Sequence, residues 1–251
     1  MRIKVDAEIE NASKFETNYN YFVYDFIKNV FYKELFKEAK PAFECNFCYA
    51  LRFIKFKHLE NFILLEDPRL FFAMSFEEKI FSRNIEFNDL TEKTFELKTS
   101  SFTYRLRIKK IKIVQTPKFS GQMKFVLLSP LTLSVKKFIA NNEIKYYLRP
   151  NNLQEINFEL TKDLIKKAKI LGTDSKINQG KVFIEWDENY IKSKFRITKK
   201  ITLEYPDKKW DVIGILAPFK ISGDIELIKA GYKLGFGELN QYGFGMAEIA
   251  S

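Results

Sequence analysis

Alternating apolar and polar residues open the chain and predict a β-strand over residues 2–10. From Tyr21 onward the apolar residues recur every three or four positions, which predicts an amphipathic helix that runs to Lys37. Residues 43–56 and 62–65 are rich in Phe, Ile and Leu and are predicted strands. The beginning of the chain therefore combines one long helix with several strands.

A second helix and a long strand complete the predicted first half. Ser75 and Glu78 have the spacing of a capping box, which predicts a helix over residues 76–82. A long strand is expected over residues 94–114.

The second half repeats this order of elements. Thr161 and Gly172 are of the residue types expected at the start and end of a helix. Strands are predicted over 123–135, 144–149, 181–186, 193–204, 210–219 and 244–249, with a short helix over 224–230. Two successive β-α-β-β-α-β units, residues 1–119 and 120–251, account for this order. The join carries no linker composition, so we expect the two units to pack as one body.

The composition is that of a soluble globular protein. Hydrophobic residues make up 46% and charged residues 29%, which excludes bulk disorder. No apolar run approaches the roughly 18 residues of a membrane span, so no membrane partner is expected. The chain shows no signal-peptide core and has 2 cysteines, so we expect a cytoplasmic protein.

The charge balance indicates a polyanionic partner. Lys and Arg number 42 against 32 Asp and Glu, a formal charge of +10, and aromatic residues make up 16%. A basic surface attracts polyanions, and exposed aromatic rings stack on nucleobases. His58 is the only histidine, which excludes metal sites built from several histidines and any catalytic triad that does not use it. We predict neither a bound metal nor another cofactor.

Five of the 10 glycines lie between residues 231 and 245, in a segment with two Gly-Phe-Gly units. Glycine allows positive φ and close approach to the backbone, so such a segment can present N–H groups to an anion. A dinucleotide-binding loop needs a helix and more sheet after it, whereas only a short predicted strand follows here. An anion-binding loop and a glycine-rich β-turn remain as alternatives.

This segment carries a family resemblance. It is similar to the C-terminal glycine-rich motif of the sixth family of CRISPR-associated proteins, the endoribonucleases of the RAMP superfamily that process repeat transcripts. The matching residues are Gly235, Gly237, Asn240, Gly243, Phe244 and Gly245. Three further segments match the family in order: Tyr19-Asn20-Tyr21, Leu128-Ser129-Pro130-Leu131 and Lys145-Tyr146-Tyr147-Leu148-Arg149-Pro150. The resemblance implies an α+β fold of two tandem ferredoxin-like, RRM-related domains, in agreement with the order of elements.

The resemblance also implies a reaction. Members of the family cleave RNA without metal: a ribose 2′-OH attacks the adjacent phosphate in line and leaves a 2′,3′-cyclic phosphate. The usual general base is a histidine just after the first helix, where this chain has none. Lys37 falls near that position, Lys28 near the family's helix tyrosine, and Lys33 between them. These lysines are the predicted catalytic residues, which would stabilise a phosphorane and donate a proton; a solvated helix face is the alternative.

The predicted RNA-binding residues form two groups. The first is the glycine-rich segment, through Gly235, Gly237, Asn240, Gly243 and Gly245. The second is basic and comprises Arg105, Arg107 and Lys109, which alternate along one strand, with Lys136 and Lys137. A bulge at 109–110 would keep the apolar neighbours of this strand pointing inward. An exposed sheet face on a basic protein is the alternative for the strand.

The cysteines and the histidine receive no role in this chemistry. Cys45 and Cys48 form only half of a zinc site, so we expect both to be core residues. His58 lies beyond the strand that follows the first helix and is expected to be structural or exposed.

Three functions remain open. An endoribonuclease would cut the precursor transcript into guide RNAs. A related binding protein would hold repeat RNA, or serve as an effector-complex subunit, with little cleavage. An RRM-like RNA-binding protein outside CRISPR systems fits the charge but not the glycine motif. The first two predict CRISPR repeat RNA as the partner, before and after processing, and leave open whether the chain joins other effector subunits or forms a homodimer.

Overall fold

A computed structural model describes residues 1–31, 33, 46–77, 90–139, 142–173, 175–205 and 208–250. Among the described residues of the first half, α1 (Asn20–Phe26) continues as a π-helical segment, Ile27–Phe31. The strands are β1 (Arg2–Ile9), β2 (Lys14–Glu16), β3 (Phe47–Phe53), β4 (Phe56–His58), β5 (Phe62–Leu65), β6 (Arg69–Phe76), β7 (Thr94–Lys98) and β8 (Thr103–Val114).

The first half is a five-stranded antiparallel sheet in the order β3-β6-β1-β8-β7, and β2, β5 and β4 form a small separate sheet. Strands β1, β3, β6 and β8 have the ferredoxin-like arrangement, in which the first strand lies between the third and the fourth. The alternation predicted for β1 is confirmed, because Ile3 and Val5 are buried in one core with Val23 and Phe26 of α1. The predicted helix over 76–82 falls mostly on residues 78–89, which lie outside the described residues.

Two expectations for the first half are wrong. Ser75 does not cap a helix: it lies in β6, a strand that we did not predict, and its hydroxyl donates to the carbonyl of Lys233 at 2.6 Å. Both faces of the second part of β6 are buried, so the strand shows no alternation that would reveal it. The single strand expected over 94–114 is a hairpin of β7 and β8.

The predicted bulge in β8 is confirmed. Asp6 pairs with Lys110 and Ala7 pairs with Ile108, so Lys109 is the extra residue. The bulge returns Ile111 to the core face, where it is partly buried, whereas Ile113 is 59% exposed.

In the second half the helices are α2 (Leu153–Ile170), α3 (Glu188–Ser193) and α4 (Ile225–Leu234). The strands are β9 (Gln122–Leu127), β10 (Ser134–Ile139), β11 (Asn142–Tyr147), β12 (Val182–Trp186), β13 (Thr198–Tyr205), β14 (Lys208–Ile215), β15 (Phe219–Gly223) and β16 (Ala247–Ile249).

The main sheet of the second half has the order β12-β15-β9-β16, and β10–β11 and β13–β14 are separate hairpins. Strands β9, β12, β15 and β16 repeat the ferredoxin-like arrangement, and apolar residues of α2 and α4 share a core with this sheet. The fold of two tandem ferredoxin-like domains is therefore confirmed. The predicted boundary between residues 119 and 120 lies in the segment between β8 and β9.

Element boundaries in the second half differ from expectation. Thr161 does not cap α2 but lies within it, and its hydroxyl donates to the carbonyl of Val182 at 3.4 Å. The helix begins at Leu153, after Asn152, and Gly172 follows its end with φ 84° as predicted. The strand expected over 210–219 is divided between β14 and β15.

Arg2 joins the two halves. Its buried guanidinium donates to the carbonyls of Ala247 at 2.6 Å and Tyr232 at 2.5 Å, and lies over the Tyr232 ring at 3.6 Å. A mixed apolar cluster adds to this contact: Cys48, Ala50, Ala73, Leu128 and Met246. The two halves thus pack together, as the missing linker composition indicated. No helix among the described residues is long and apolar enough to cross a membrane.

Candidate nucleic-acid interface

Three of the segments that carry the family resemblance meet between the two halves. The side-chain amide of Asn20, at the start of α1, donates to the carbonyl of Tyr242 at 2.7 Å. The N–H of Gly245 donates to the carbonyl of Pro130 at 2.8 Å, and the N–H of Met246 donates to the hydroxyl of Ser129 at 3.0 Å. Segments that are distant in sequence therefore form one contact unit.

The glycines of the loop 235–245 are required by close packing. A Cβ at Gly237, where φ is 80°, would lie 2.4 Å from the carbonyl oxygen of Thr132. A Cβ at Gly245, where φ is 70°, would lie 2.0 Å from that of Phe236. Both distances are impossible for a side chain, and the positive φ values favour glycine independently.

The predicted RNA-binding glycines are buried in the loop. Gly235, Gly237, Gly243 and Gly245 are all buried, and the N–H groups of Gly235, Gly243 and Gly245 donate to carbonyls of Gly231, Asn240 and Pro130. The Asn240 amide donates within the loop, to the carbonyl of Phe244 at 3.0 Å. These backbone groups are occupied by the protein itself, so RNA would meet the more exposed residues between them, of which Gln241 is the most exposed.

Aromatic side chains surround the contact between α1 and the loop. The Tyr24 ring centroid lies 4.7 Å from that of Tyr242, and the Tyr21 centroid lies 4.1 Å from that of Tyr205. Trp210 stacks on Tyr205 at 4.9 Å. All five rings are half-buried, so part of each faces solvent. We call these residues the aromatic cluster.

The hydroxyl groups of Tyr21 and Tyr205 stay protonated at neutral pH. Burial, followed by a hydrogen bond with Tyr242, raises the pKa of Tyr205 well above its ordinary value. Burial also raises the pKa of Tyr21, with Asp25 and the neighbouring tyrosines acting in the same direction and Lys28 opposing them. These phenols can therefore donate hydrogen bonds but are not bases.

Lys28 lies beside the aromatic cluster. It is half-buried in the π-helical segment after α1, and its ammonium is 5.5 Å from the centroid of the Tyr24 ring. Lys33 lies further along the chain in helical conformation and is exposed. Lys37 lies outside the described residues. Of the three predicted catalytic lysines, the structure thus places Lys28 next to the loop contact.

The predicted basic strand is ion-paired. Arg105 and Arg107 lie 3.3 and 3.7 Å from Glu10, and Arg107 and Lys109 lie 2.7 and 3.2 Å from Glu92. A hydrogen bond from Lys109 lowers the pKa of Glu92, with further lowering by Arg107. A phosphate would have to compete with the carboxylates of Glu10 and Glu92 for the cations of this strand.

The two lysines of β10 also interact with other side chains of the protein. Lys136 pairs with Glu143 at 2.8 Å, and the ammonium of Lys137 lies 3.9 Å from the centroid of the Tyr146 ring. Both side chains retain exposed surface.

Two of the remaining candidates, Cys48 and His58, have the expected environments. Cys48 is a buried core residue, as predicted, whereas Cys45 lies outside the described residues. His58 is exposed on β4. Among the described residues no three His, Cys, Asp or Glu side chains come together as a metal site.

Sequence reasoning missed the aromatic cluster and one buried lysine, Lys167. Tyr24 and Lys28 are four residues apart on a helix, a spacing that brings side chains together and could have been read from the sequence. The contact of Tyr205 with Tyr21 depends on the packing of the two halves, for which no local pattern exists.

Three comparisons with known proteins, by family model, by sequence and by structure, all find similarity to the same family. The family model described as CRISPR associated protein Cas6, C-terminal, matches residues 114–249. The chain is 27% identical over 188 residues to a Pyrococcus horikoshii protein named as a CRISPR-associated endoribonuclease-like protein, Cas6nc, covering 74% of this chain and 70% of that protein. It is 29% identical over 146 residues to the CRISPR-associated endoribonuclease Cas6 of Pyrococcus furiosus, covering 58% of this chain and 48% of that protein. A solved structure titled CRISPR associated protein Cas6 has a TM-score of 0.70 at 25% identity, covering 100% of this chain and 99% of that one.

Proposed function

Because the chain belongs to the Cas6 family of CRISPR-associated proteins, we propose that it binds CRISPR repeat RNA and cleaves the precursor transcript into guide RNAs. One observation carries this proposal: Lys28 and the aromatic cluster adjoin the place where Asn20 contacts the glycine-rich loop. A cation and half-buried aromatic rings beside a preformed loop suit a single-stranded segment of RNA. The named endoribonuclease among the relatives supports the same conclusion.

The proposed reaction needs no group beyond the RNA and the protein. The 2′-oxygen forms a bond to the adjacent phosphorus while the bond from phosphorus to the 5′-oxygen breaks. The products are a 2′,3′-cyclic phosphate and a 5′-hydroxyl, so one proton leaves the 2′-OH and one reaches the leaving oxygen. The protein must hold the three reacting atoms in line and stabilise the extra negative charge of the phosphorane.

We assign stabilisation of the phosphorane to Lys28. Its ammonium lies 5.5 Å from the centroid of the Tyr24 ring, and the first turn of α1 is hydrogen-bonded to the loop, so Lys28 lies beside the loop. Lys33 is exposed and supplies general attraction for phosphate in this proposal. Lys37, which falls near the sequence position of the family histidine, keeps its predicted role in proton transfer.

The aromatic cluster holds a nucleobase in this proposal. Tyr21 and Tyr242 come from the two halves of the protein, and a base stacked against either ring would fix the neighbouring ribose. The Tyr21 hydroxyl, whose pKa is raised by burial, would donate a hydrogen bond to an RNA oxygen.

The remaining predicted contacts would add affinity rather than chemistry. Arg105, Arg107 and Lys109 would bind phosphates only by exchanging their carboxylate partners, so each contributes modestly. Lys136 and Lys137 extend the basic surface along β10. The loop would present Gln241 and Asn240 to RNA, and its shape is set by four buried glycines, Gly235, Gly237, Gly243 and Gly245.

A second function, binding of repeat RNA with little or no cleavage, is favoured by the histidine position. The single histidine, His58, is exposed on β4, and no histidine lies just after the first helix, where the family has its general base. A positioned general base is typically worth about 10²–10⁴-fold in rate, so the chemistry without one would be slow. The relative named as endoribonuclease-like is consistent with this alternative.

Incubation of purified protein with a labelled repeat transcript in EDTA separates the two functions. Cleavage at one site in the repeat, with a 2′,3′-cyclic phosphate end, supports the enzyme. Tight binding of the repeat without any cut, under single-turnover conditions over hours, supports the binding protein. A scrambled transcript of equal length is the matched control, and equal affinity for both transcripts would contradict both functions.

A further inference from the structure

A buried lysine lies beneath the glycine-rich loop. Lys167 of α2 is only 8% exposed, and its ammonium lies 2.6 Å from Asp163 Oδ2, 2.8 Å from the carbonyl oxygen of Gly235 and 2.5 Å from that of Gly237. An ammonium group has three N–H donors, so these three acceptors satisfy all of them. A buried charge is costly unless it is paired and hydrogen-bonded, and here both conditions are met.

Asp163 and Lys167 together bind the first Gly-Phe-Gly unit, Gly235–Gly237, and we call this pair of residues the frame. Asp163 lies one helical turn before Lys167, and its carboxylate also accepts the N–H of Gly237. Gly237 is thus held by both its N–H and its carbonyl group. The frame is specific to the loop, because every acceptor of the lysine other than Asp163 is a loop carbonyl.

The frame fixes one end of the loop, and the Ser-Pro segment fixes the other. Gly235 ends α4 with φ 92°, and the carbonyl that Lys167 reaches lies where the chain leaves the helix. At the far end the N–H of Gly245 donates to Pro130, and the N–H of Phe236 donates to the Gly245 carbonyl, both at 2.8 Å. The residues between these ends include Tyr242, whose ring contacts Tyr24.

We propose that Lys167 and Asp163 are positioning residues that set the glycine-rich loop in its RNA-binding conformation without touching RNA. This inference rests on the proposed function, because it assigns RNA binding to the loop. The competing explanation is a general contribution to folding. A general contribution would lower the stability of the whole domain and leave the RNA affinity of the folded protein unchanged.

Lys167→Met in the full chain tests the inference, with Lys166→Met as the matched control. Lys166 is the exposed neighbour on the same helix. Two quantities are measured well below the melting temperature of each variant: amide hydrogen exchange in the free protein, and affinity for the repeat transcript. The expected result for Lys167→Met is faster exchange in residues 236–245 but not in β9, with affinity lower by about tenfold, because RNA binding must then order the loop. The control variant should match the wild type in both.

A folded Lys167→Met protein with wild-type exchange in the loop and wild-type affinity would overturn the inference. Faster exchange throughout the domain with unchanged affinity would also overturn it, in favour of a general folding role. If Lys167→Met does not fold, the double variant Asp163→Asn, Lys167→Met is used instead. It removes both charges, which is less destabilising than leaving one buried charge unpaired. Its loop exchange and its affinity for the transcript then test the inference in the same way. A wild-type protein that does not bind the repeat would contradict the proposed function, while the exchange measurement would still decide whether the frame holds the loop.

Discussion

Asn20 and Tyr242 link the two halves of the protein at the candidate site. The Asn20 amide donates to the Tyr242 carbonyl at 2.7 Å, and the hydroxyl of Tyr49 donates to the Asn20 carbonyl at 2.6 Å. Asn20 is 4% exposed, so water cannot replace these bonds easily. The start of α1 is therefore held by the loop on one side and by β3 on the other.

Asn20→Ala should lower the free energy of unfolding by about 1–3 kcal/mol, because the Tyr242 carbonyl loses its donor. The variant should also weaken RNA binding, since Tyr242 is no longer tied to α1. Urea unfolding and RNA titration measure the two effects. The control is Asn29→Ala, which removes an exposed bond to Asp25 and should change neither quantity appreciably. Equal effects of the two substitutions would show that the interdomain bond has no special importance.

Gly237→Ala should destabilise the second half by at least about 1 kcal/mol and weaken RNA binding. The added Cβ would lie 2.4 Å from the Thr132 carbonyl oxygen, and φ is 80°, so both contact and backbone conformation oppose it. Thermal unfolding and RNA titration report the result. Gly121→Ala is the matched control, because the nearest atom to its Cβ is at 3.4 Å, an ordinary contact. An unchanged melting temperature for Gly237→Ala would mean that the loop tolerates a different conformation.

Lys28→Ala should reduce the single-turnover cleavage rate by about 10²-fold, the usual cost of losing one donor that stabilises transition-state charge. RNA affinity should fall much less, because many other cations attract the phosphates. Lys33→Ala tests the exposed neighbour and should mainly affect affinity, and His58→Ala should have little effect on either quantity. Cleavage that depends on His58 but not on Lys28 would place the active site elsewhere.

Cys48 should resist thiol reagents in the native protein at pH 8. Burial raises the pKa of its thiol to about 11, and the thiol donates to the sulfur of Met246 at 3.3 Å, so almost no thiolate is available. The folded pKa exceeds the unfolded one, so the contribution of this thiol to stability is present below the unfolded pKa and is lost as pH rises toward 11. In a Cys45→Ser background, modification should appear only on unfolding; rapid reaction of the native variant would contradict the burial of Cys48.

Local sequence patterns predicted part of the fold for clear physical reasons. The alternation in β1 reflects a sheet with one face on a core of large apolar residues, and the slip of phase in β8 reflects an extra residue at Lys109. The second part of β6 is buried on both faces, because one face packs against the second half. The sequence of this part of β6 therefore lacks the alternation of a half-exposed strand, and only the packing of the two halves explains its burial.

The candidate site likewise contains residues that the sequence alone could identify and residues that it could not. The glycine-rich segment could be singled out because five glycines in fifteen residues are rare, and the structure explains them by positive φ and close contacts. Lys167 could not be found this way, because a lysine on a helix is usually exposed. Its burial depends on Asp163 one turn away and on loop carbonyls about seventy residues later.

Cleavage of a repeat transcript carrying one 2′-deoxynucleotide tests the central claim most directly. The substitution is placed immediately upstream of the cleavage site mapped with the all-ribose transcript, and both transcripts are incubated with wild-type protein in EDTA. In-line attack by the 2′-OH predicts that the deoxy transcript binds with nearly the same affinity and is not cut there, while the all-ribose transcript yields a 2′,3′-cyclic phosphate. Cleavage of the deoxy transcript at that position, or an all-ribose product with a plain 3′-hydroxyl, would contradict the account.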